Sequence, residues 1–274
     1  MISVIILTKN EEKDIAACLD TLTWCDDIHV LDSGSTDATT EIAAKYKVPV
    51  SFNPFVSFGK QRNFALDNIN TKYEWILFLD ADEHVTPEFL KSMKDNIQSS
   101  EGDVSGFYCC WKMMLDNVWL KHCDNFPKWQ FRLMKKGMAR FTDFGHGQKE
   151  DQVKGRIIYI KEPYLHFGFS KGWSAWIDRH NRYSSQEAVA RLENLPPIRN
   201  VFSSHGSVRN PAIKSWMSRV PGWPALRFIQ AYFFNLGFLE GKPGFIYCVN
   251  MAYYEFLIKI KMREIARNKN TKTN

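Results

Sequence analysis

The chain has no apolar run approaching the ~20 residues that a membrane-crossing helix needs. Its two most apolar stretches, 226–239 and 245–260, are broken by Gln230, Asn235 and Glu240 in the first and by Asn250 and Glu255 in the second. They predict packed or interfacial helices instead of spans. Six cysteines are present, none in a Cys-x-x-Cys pair, which removes the common zinc and dithiol signatures. No charged leader with a cleavage site precedes the first strand, so reduced thiols and a cytoplasmic location are expected. Also missing are a Gly-x-x-x-x-Gly-Lys loop, a His-Glu-x-x-His pair and a Gly-x-Ser-x-Gly elbow, which argues against P-loop, zincin and serine-hydrolase chemistry. Internal repeats and low-complexity segments are absent as well. Outside its tail the chain lacks excess charge. Of the net +6, residues 259–274 supply +5, from six basic residues and one acid. The body is therefore no basic nucleic-acid platform, whereas the tail suits an anionic membrane surface or a solvated terminus.

What is present is an ordinary globular composition, 45% hydrophobic and 24% charged over 274 residues, with 20 Phe, 10 Tyr and 9 Trp. The first hundred residues alternate strictly. Apolar runs at 2–7, 28–31, 48–52 and 75–79 read as strands, the third at an edge because of Pro49. Segments starting near Asn10, after Ser35 or Thr36 as cap, at Gly59 and at Thr86-Pro87 read as helices. This pattern predicts an α/β fold with a doubly wound sheet and right-handed crossovers. Beyond residue 103 the alternation loosens. Strands are expected at 107–115 and 155–160 with loops between them, and a helix over 170–192. A connector with five prolines spans 196–224, and the two apolar segments follow. The expected division is 1–168 for the sheet domain and 169–274 for a helical C-terminal region.

Asp80-Ala81-Asp82-Glu83 ends the apolar run Trp75-Ile76-Leu77-Phe78-Leu79. A buried parallel strand of this kind delivers its carboxyl end to the crevice where open α/β sheets bind ligands. Two carboxylates one residue apart project the same way from an extended backbone. Such a pair can hold a divalent ion with coordination positions left for a diphosphate. Three further polar segments fall on the same edge: Thr8-Lys9-Asn10-Glu11, Asp32 to Asp37, and Gly59-Lys60-Gln61-Arg62-Asn63.

The order and spacing of these segments resemble the family 2 glycosyltransferases, which have the nucleotide-sugar-binding GT-A fold. The resemblance is specific over about residues 2–100. A looser similarity through Gln130-Phe131-Arg132-Leu133, Gly147-Gln148-Lys149-Glu150 and His180-Asn181-Arg182-Tyr183-Ser184 points to the subgroup that builds lipopolysaccharide core or exopolysaccharide. The resemblance implies a mixed GT-A sheet with a helical C-terminal extension and a nucleotide-diphosphate-sugar donor. It also implies Mg2+ or Mn2+ and a lipid-linked or lipopolysaccharide acceptor at the membrane. Thr8, Asn10 and Glu11 would border the nucleotide, Asp32 would accept a hydrogen bond from the base, and Asp80 would lie near the ribose. Lys60 and Arg62 would add cationic contacts to phosphate, with solvated surface roles as the alternative. Asp82 would hold the metal, and His166 is the expected third ligand, with a core role as its alternative. His146 is a weaker candidate.

An inverting displacement needs a base for the acceptor hydroxyl. The family places an acid in a loop well after Asp-x-Asp, which points to Glu150-Asp151, with Asp143 in reserve. His180, Arg182 and Tyr183 share a helix suited either to acceptor binding or to packing. Many relatives carry an aromatic residue where this chain has Lys9, so stacking of the base there is not expected. The Gln-x-x-Arg-Trp signature of processive synthases is absent, which favours one sugar per encounter. Two other readings compete. A nucleotidyltransferase would show a glycine-rich basic loop after the first strand, and Thr8-Lys9-Asn10-Glu11 has no glycine. A non-catalytic nucleotide- or carbohydrate-binding module would keep the fold without needing Asp80 and Asp82.

Overall fold

The apolar run Ile2–Thr8 forms β1, whose residues are buried on both faces apart from the half-buried Leu7. Such burial is what a central parallel strand requires. The computed structural model describes residues 1–100, 102–144, 147–193 and 195–271. After β1 come α1 (Ile15–Asp20), β2 (Ile28–Asp32), α2 (Thr39–Lys45), β3 (Val50–Phe52), α3 (Phe58–Asn68) and β4 (Trp75–Asp80). The order β3-β2-β1-β4 is parallel throughout, with β3 at the edge as its proline predicts. Alternate residues feed opposite layers. Val4, Ile6, Leu77 and Leu79 pack with α1 and with α4 (Pro87–Ser99), while Ile5, Ile76 and Phe78 pack beneath α3. Thr86 caps α4 by accepting from Phe89 N, with Pro87 opening the helix, the arrangement its sequence signals.

The second half of the sheet is richer than the sequence predicts. β5 (Glu83–His84), β6 (Val104–Leu115), β7 (Val118–Trp119), β8 (Trp129–Lys135) and β11 (Arg156–His166) extend the order to β4-β8-β6-β11-β5, with β7 paired to β6. β8 runs antiparallel to β4 and β6, so the sheet is mixed. The segment 116–154, expected as loops, thus supplies a central strand. It also supplies a separate antiparallel ribbon of β9 (Arg140–Phe144) and β10 (Gly147–Asp151). Glu150 and Asp151 therefore lie on a paired strand and not in a loop, because the ribbon's backbone groups bond to each other. Asp37, not Ser35 or Thr36, serves the start of α2, accepting from Thr39 N at 3.1 Å.

The chain divides into two compact units, Met1–Trp119 with Phe126–Lys171, and Leu120–Asn125 with Gly172–Asn274. The second unit is helical: α5 (Gly172–Glu193), α6 (Gly206–Met217), α7 (Trp223–Ile229) and α8 (Gly241–Thr271). α6 replaces part of the expected connector and carries Pro211 inside it. The apolar segment 226–239 is not one helix. α7 gives way to a π turn at Gln230–Phe234 and a 3-10 turn at Gly237–Glu240. Leu236 between them takes a positive φ of 62°, which ends any continuous helix. Arg191, Glu255 and Trp223 form the polar centre of this unit, with Arg191 bidentate to Glu255 at 2.7 and 3.0 Å.

Candidate functional site

The carboxyl ends of β1 and β2 lie in register at Thr8 and Asp32. Thr8 Oγ1 donates to Asp32 Oδ1 at 2.9 Å, and Gly34 N and Ser35 N donate to Oδ2 at 2.8 Å each. Gly34 adopts φ 89°, which aims the turn's amides back at the carboxylate and which a residue with a Cβ rarely tolerates. Burial alone would raise the Asp32 carboxyl, but the Ser35, Thr8 and Gly34 donors outweigh it and hold it below the ordinary 3.8. The neighbouring loops lock together. Asn10 N donates to Ser35 Oγ, Asn10 Oδ1 accepts from Thr36 N, and Glu11 N donates to Thr39 Oγ1. Lys9 Nζ reaches back to Ser33 O at 3.0 Å, so it ties the β2 turn down. Glu11 pairs with Lys171 at 2.5 Å. Burial, opposed by Lys171 and assisted by the charges of Asp82 and Asp14, pushes its carboxyl up to about 8.

At the end of β4 the two aspartates part company. Asp80 turns to two arginines: Arg132 Nη2 donates to Oδ2 at 2.7 Å, and Arg62 Nη2 lies 3.4 Å from Oδ1. Burial would raise Asp80, yet Arg132 and Arg62 hold its carboxyl well below the usual range. Arg62 is 1% exposed and sits over the rings of Phe78 and Phe141. It is thus an interior partner of Asp80, not the solvated cation that its place near the start of α3 predicts. Arg132 also donates to Glu83 Oε1 at 2.6 Å, and Glu83 accepts from Tyr164 Oη at 3.1 Å and Asp80 N at 2.9 Å. Burial, with the Asp80 charge added, pushes Glu83 up to about 7 against the pull of Arg132.

Asp82 instead faces His166. The two-residue strand β5 pairs with the end of β11, Glu83 opposite His166. That pairing brings His166 Nε2 to 3.4 Å from Asp82 Oδ2. Burial would depress the imidazole, but Asp82, backed by Glu83 and Asp80, raises it to about 9. His166 Nδ1 is buried with no hydrogen-bond partner among the described residues. No group of three or more His, Cys, Asp and Glu side chains that could hold a metal occurs among the described residues. Asp82 and, once its imidazole has given up a proton, His166 would supply one oxygen and one nitrogen donor, which suits a divalent ion that keeps open positions for substrate oxygens. Both Asp80 oxygens already have arginine partners.

The remaining expected residues lie in three places. Lys60 is exposed in the first turn of α3, where its amide donates to Ser57 Oγ at 3.2 Å. Glu150 accepts from Tyr108 Oη, and Tyr108 stacks on Tyr159 with ring centroids 5.0 Å apart. Asp151 is exposed at the end of β10, and Asp143 accepts from Gly59 N at 3.2 Å. His146 lies outside the described residues. His180 stacks on Trp176 with centroids 3.5 Å apart and meets Tyr254 edge-on; Tyr183 packs in the same core, while Arg182 is exposed. This geometry gives His180 and Tyr183 a packing role. Sequence reasoning missed Arg132, Glu83 and Tyr164 as one buried group. The available signal was an arginine inside the otherwise apolar alternation Phe131-Arg132-Leu133, since a charge at such a place must have a partner.

The model of the family described as glycosyl transferase family 2 matches residues 3–149. An uncharacterized glycosyltransferase of Rickettsia conorii is 25% identical over 278 residues, covering 96% of this chain and 90% of that protein. The lipopolysaccharide core biosynthesis glycosyltransferase LpsC of Rhizobium meliloti is 24% identical over 268 residues, covering 95% and 91%. Among solved structures, S. aureus TarS 1–349 gives a TM-score of 0.47 at 17% identity, covering 98% of this chain and 91% of that one.

Proposed function

The chain belongs to glycosyl transferase family 2, and from that premise we propose a metal-dependent, inverting transfer of one sugar per encounter to a hydroxyl of a membrane-anchored glycan. The acceptor class rests on the name of LpsC, which places that relative in lipopolysaccharide core biosynthesis. The observation that carries the reading is the meeting of Asp82 and His166 at the carboxyl end of β4, with the Thr8–Asp32 pair on the same edge of the sheet. We assign Asp32 to an N–H of the base, with Thr8, Asn10 and Glu11 bordering the nucleotide. Lys60 serves the phosphates, and Arg62 acts through Asp80, which lies toward the ribose. A divalent ion held by Asp82 and His166 would offset the charge that develops on the departing diphosphate.

The acceptor oxygen attacks the anomeric carbon as the bond from that carbon to the diphosphate oxygen breaks. The sugar is inverted and the nucleoside diphosphate departs. Glu150 takes the hydroxyl proton; Asp143 and Asp151 are the nearby alternatives. The hydrogen bond from Tyr108 supports Glu150, because it fixes the orientation of the carboxylate.

The test is a thermal-shift panel of UDP-, GDP-, CDP- and dTDP-sugars with and without Mn2+, on wild type and Asp82→Ala. A donor at about 100 times its Kd adds roughly 2.7 kcal/mol, several degrees in Tm for a protein of this size. The expected result is a shift with one nucleotide class that needs the metal and disappears in Asp82→Ala. A panel without any metal-dependent shift overturns the proposal.

A further inference from the structure

The second unit carries an apolar surface whose chemistry is specified by its charges. Between residues 194 and 263 the chain has nine Lys and Arg residues and only two acids, Glu240 and Glu255. Both acids are turned inward. Glu240 accepts from His122 N and Cys123 N, and Glu255 binds Arg191 and Trp223. The outside of this stretch is therefore cationic and apolar, with no exposed carboxylate. At its centre the π turn and the 3-10 turn hold Phe234 at 79%, Leu239 at 60% and Phe233 at 55% exposure, with Leu236 and Phe238 beside them. Arg227 precedes this projection and the exposed Lys242 follows it. Between α7 and α8 runs a groove of about 430 Å³ lined by Ala225, Phe228, Ile229, Val249 and Ala252, side chains without a polar atom.

Large apolar side chains exposed this strongly on successive turns mark an interaction site. A second copy is disfavoured as occupant, because an isologous contact would press this cationic face against itself. Among the described residues no helix is long and apolar enough to cross a membrane. What fits is an apolar wedge bracketed by cations, the combination that seats a protein in the interfacial layer of an anionic bilayer.

We propose that Phe233, Phe234 and Leu239 insert into the headgroup–acyl boundary of an anionic membrane, with Arg227 and Lys242 on the lipid phosphates. The proposal deepens the membrane-anchored acceptor proposed above by naming the surface and the lipid class.

The experiment is co-sedimentation of the full chain with vesicles of phosphatidylglycerol and phosphatidylethanolamine, against vesicles of phosphatidylcholine alone. Wild type should pellet with the anionic vesicles. The triple variant Phe233→Ser, Phe234→Ser, Leu239→Ser should lose binding by roughly tenfold or more, and Arg227→Gln with Lys242→Gln by a similar factor that added salt reproduces in wild type. In a second measurement, Phe234→Trp keeps an aromatic ring at the tip. Relative to wild type, whose nine tryptophans set the baseline, its emission should gain a component that shifts to the blue on anionic vesicles and is quenched by brominated acyl chains. Equal binding to both vesicle types, undiminished binding of the triple variant, or no quenching at position 234 overturns the proposal. So does a wild-type dimer that the triple variant dissolves while neither protein binds vesicles. Vesicle binding without any donor-induced shift would sink the transferase reading and leave this one standing; the reverse pattern would do the opposite.

Discussion

Arg132 Nη2 lies 2.7 Å from Asp80 Oδ2, and the same nitrogen lies 2.6 Å from Glu83 Oε1. One buried cation thus fixes both the first and the last acid of the Asp-Ala-Asp-Glu turn. Asp82, between them, is left to meet His166. The turn's division of labour follows from a residue on a strand that the chain reaches only fifty residues later.

Removing that cation should be costly. Arg132→Met leaves Glu83 and Asp80 facing each other with Arg62 as the remaining arginine, and breaking a buried pair from one side costs about 3–5 kcal/mol. The expected fall in Tm is on the order of 10 °C, measured by thermal unfolding. Arg132→Lys should recover part of it, because the charge returns without the two-way geometry.

The depressed carboxyl of Asp32 gives a prediction with a definite sign. Its folded pKa lies below the unfolded 3.8. The stability it contributes is therefore complete above that value and is lost as pH falls through the folded one. Asp32→Asn should lower the urea midpoint near neutral pH by an amount equivalent to about 1–3 kcal/mol. Its acid limb should be flatter than that of wild type. Parallel limbs would show that the Thr8, Gly34 and Ser35 donors do not act through charge.

Gly106 is a packing requirement. A Cβ built there would stand 2.5 Å from Phe131 and 2.6 Å from Leu133 O on the neighbouring strand β8. Gly106→Ala should destabilise by about 1–3 kcal/mol through overpacking, read as a lower Tm with the fold retained by circular dichroism.

The assignment of the base separates through two variants. Glu150→Gln should reduce kcat by roughly 100-fold or more while donor binding is kept. Tyr108→Phe removes only the hydroxyl that orients the carboxylate, and should cost less. Full activity in Glu150→Gln would pass the role to Asp143 or Asp151, and Asp143→Asn would then be decisive.

The first four strands were legible because each is a short apolar run bounded by polar residues, and their alternation with helices leaves few topologies. β8 was not legible for a physical reason. Gln130 and Arg132 sit inside it, and a polar pattern in one strand cannot reveal that its partners wait on β4 and β5. Glu150 is expected in a loop because the resembled family places an acid in one after Asp-x-Asp, and nothing local in 140–151 distinguishes a ribbon from a surface excursion. At the site, Asp82 was visible as a motif. Its proximity to His166 depends on the pairing of a two-residue strand, which periodicity cannot detect. The packing of His180 likewise depends on Tyr254, far along the chain.

Six residues of the sheet half, Leu120–Asn125, belong to the helical unit. There His122 N and Cys123 N donate to Glu240, and Asp124 accepts from Tyr247 Oη. The polypeptide consequently passes between the two units three times. A single cut near Lys171 would strand those six residues in one fragment and deprive α8 of them in the other. The helical half is thus no detachable appendage. The two halves could be inherited, exchanged between relatives or grafted onto another sheet only as an interleaved pair.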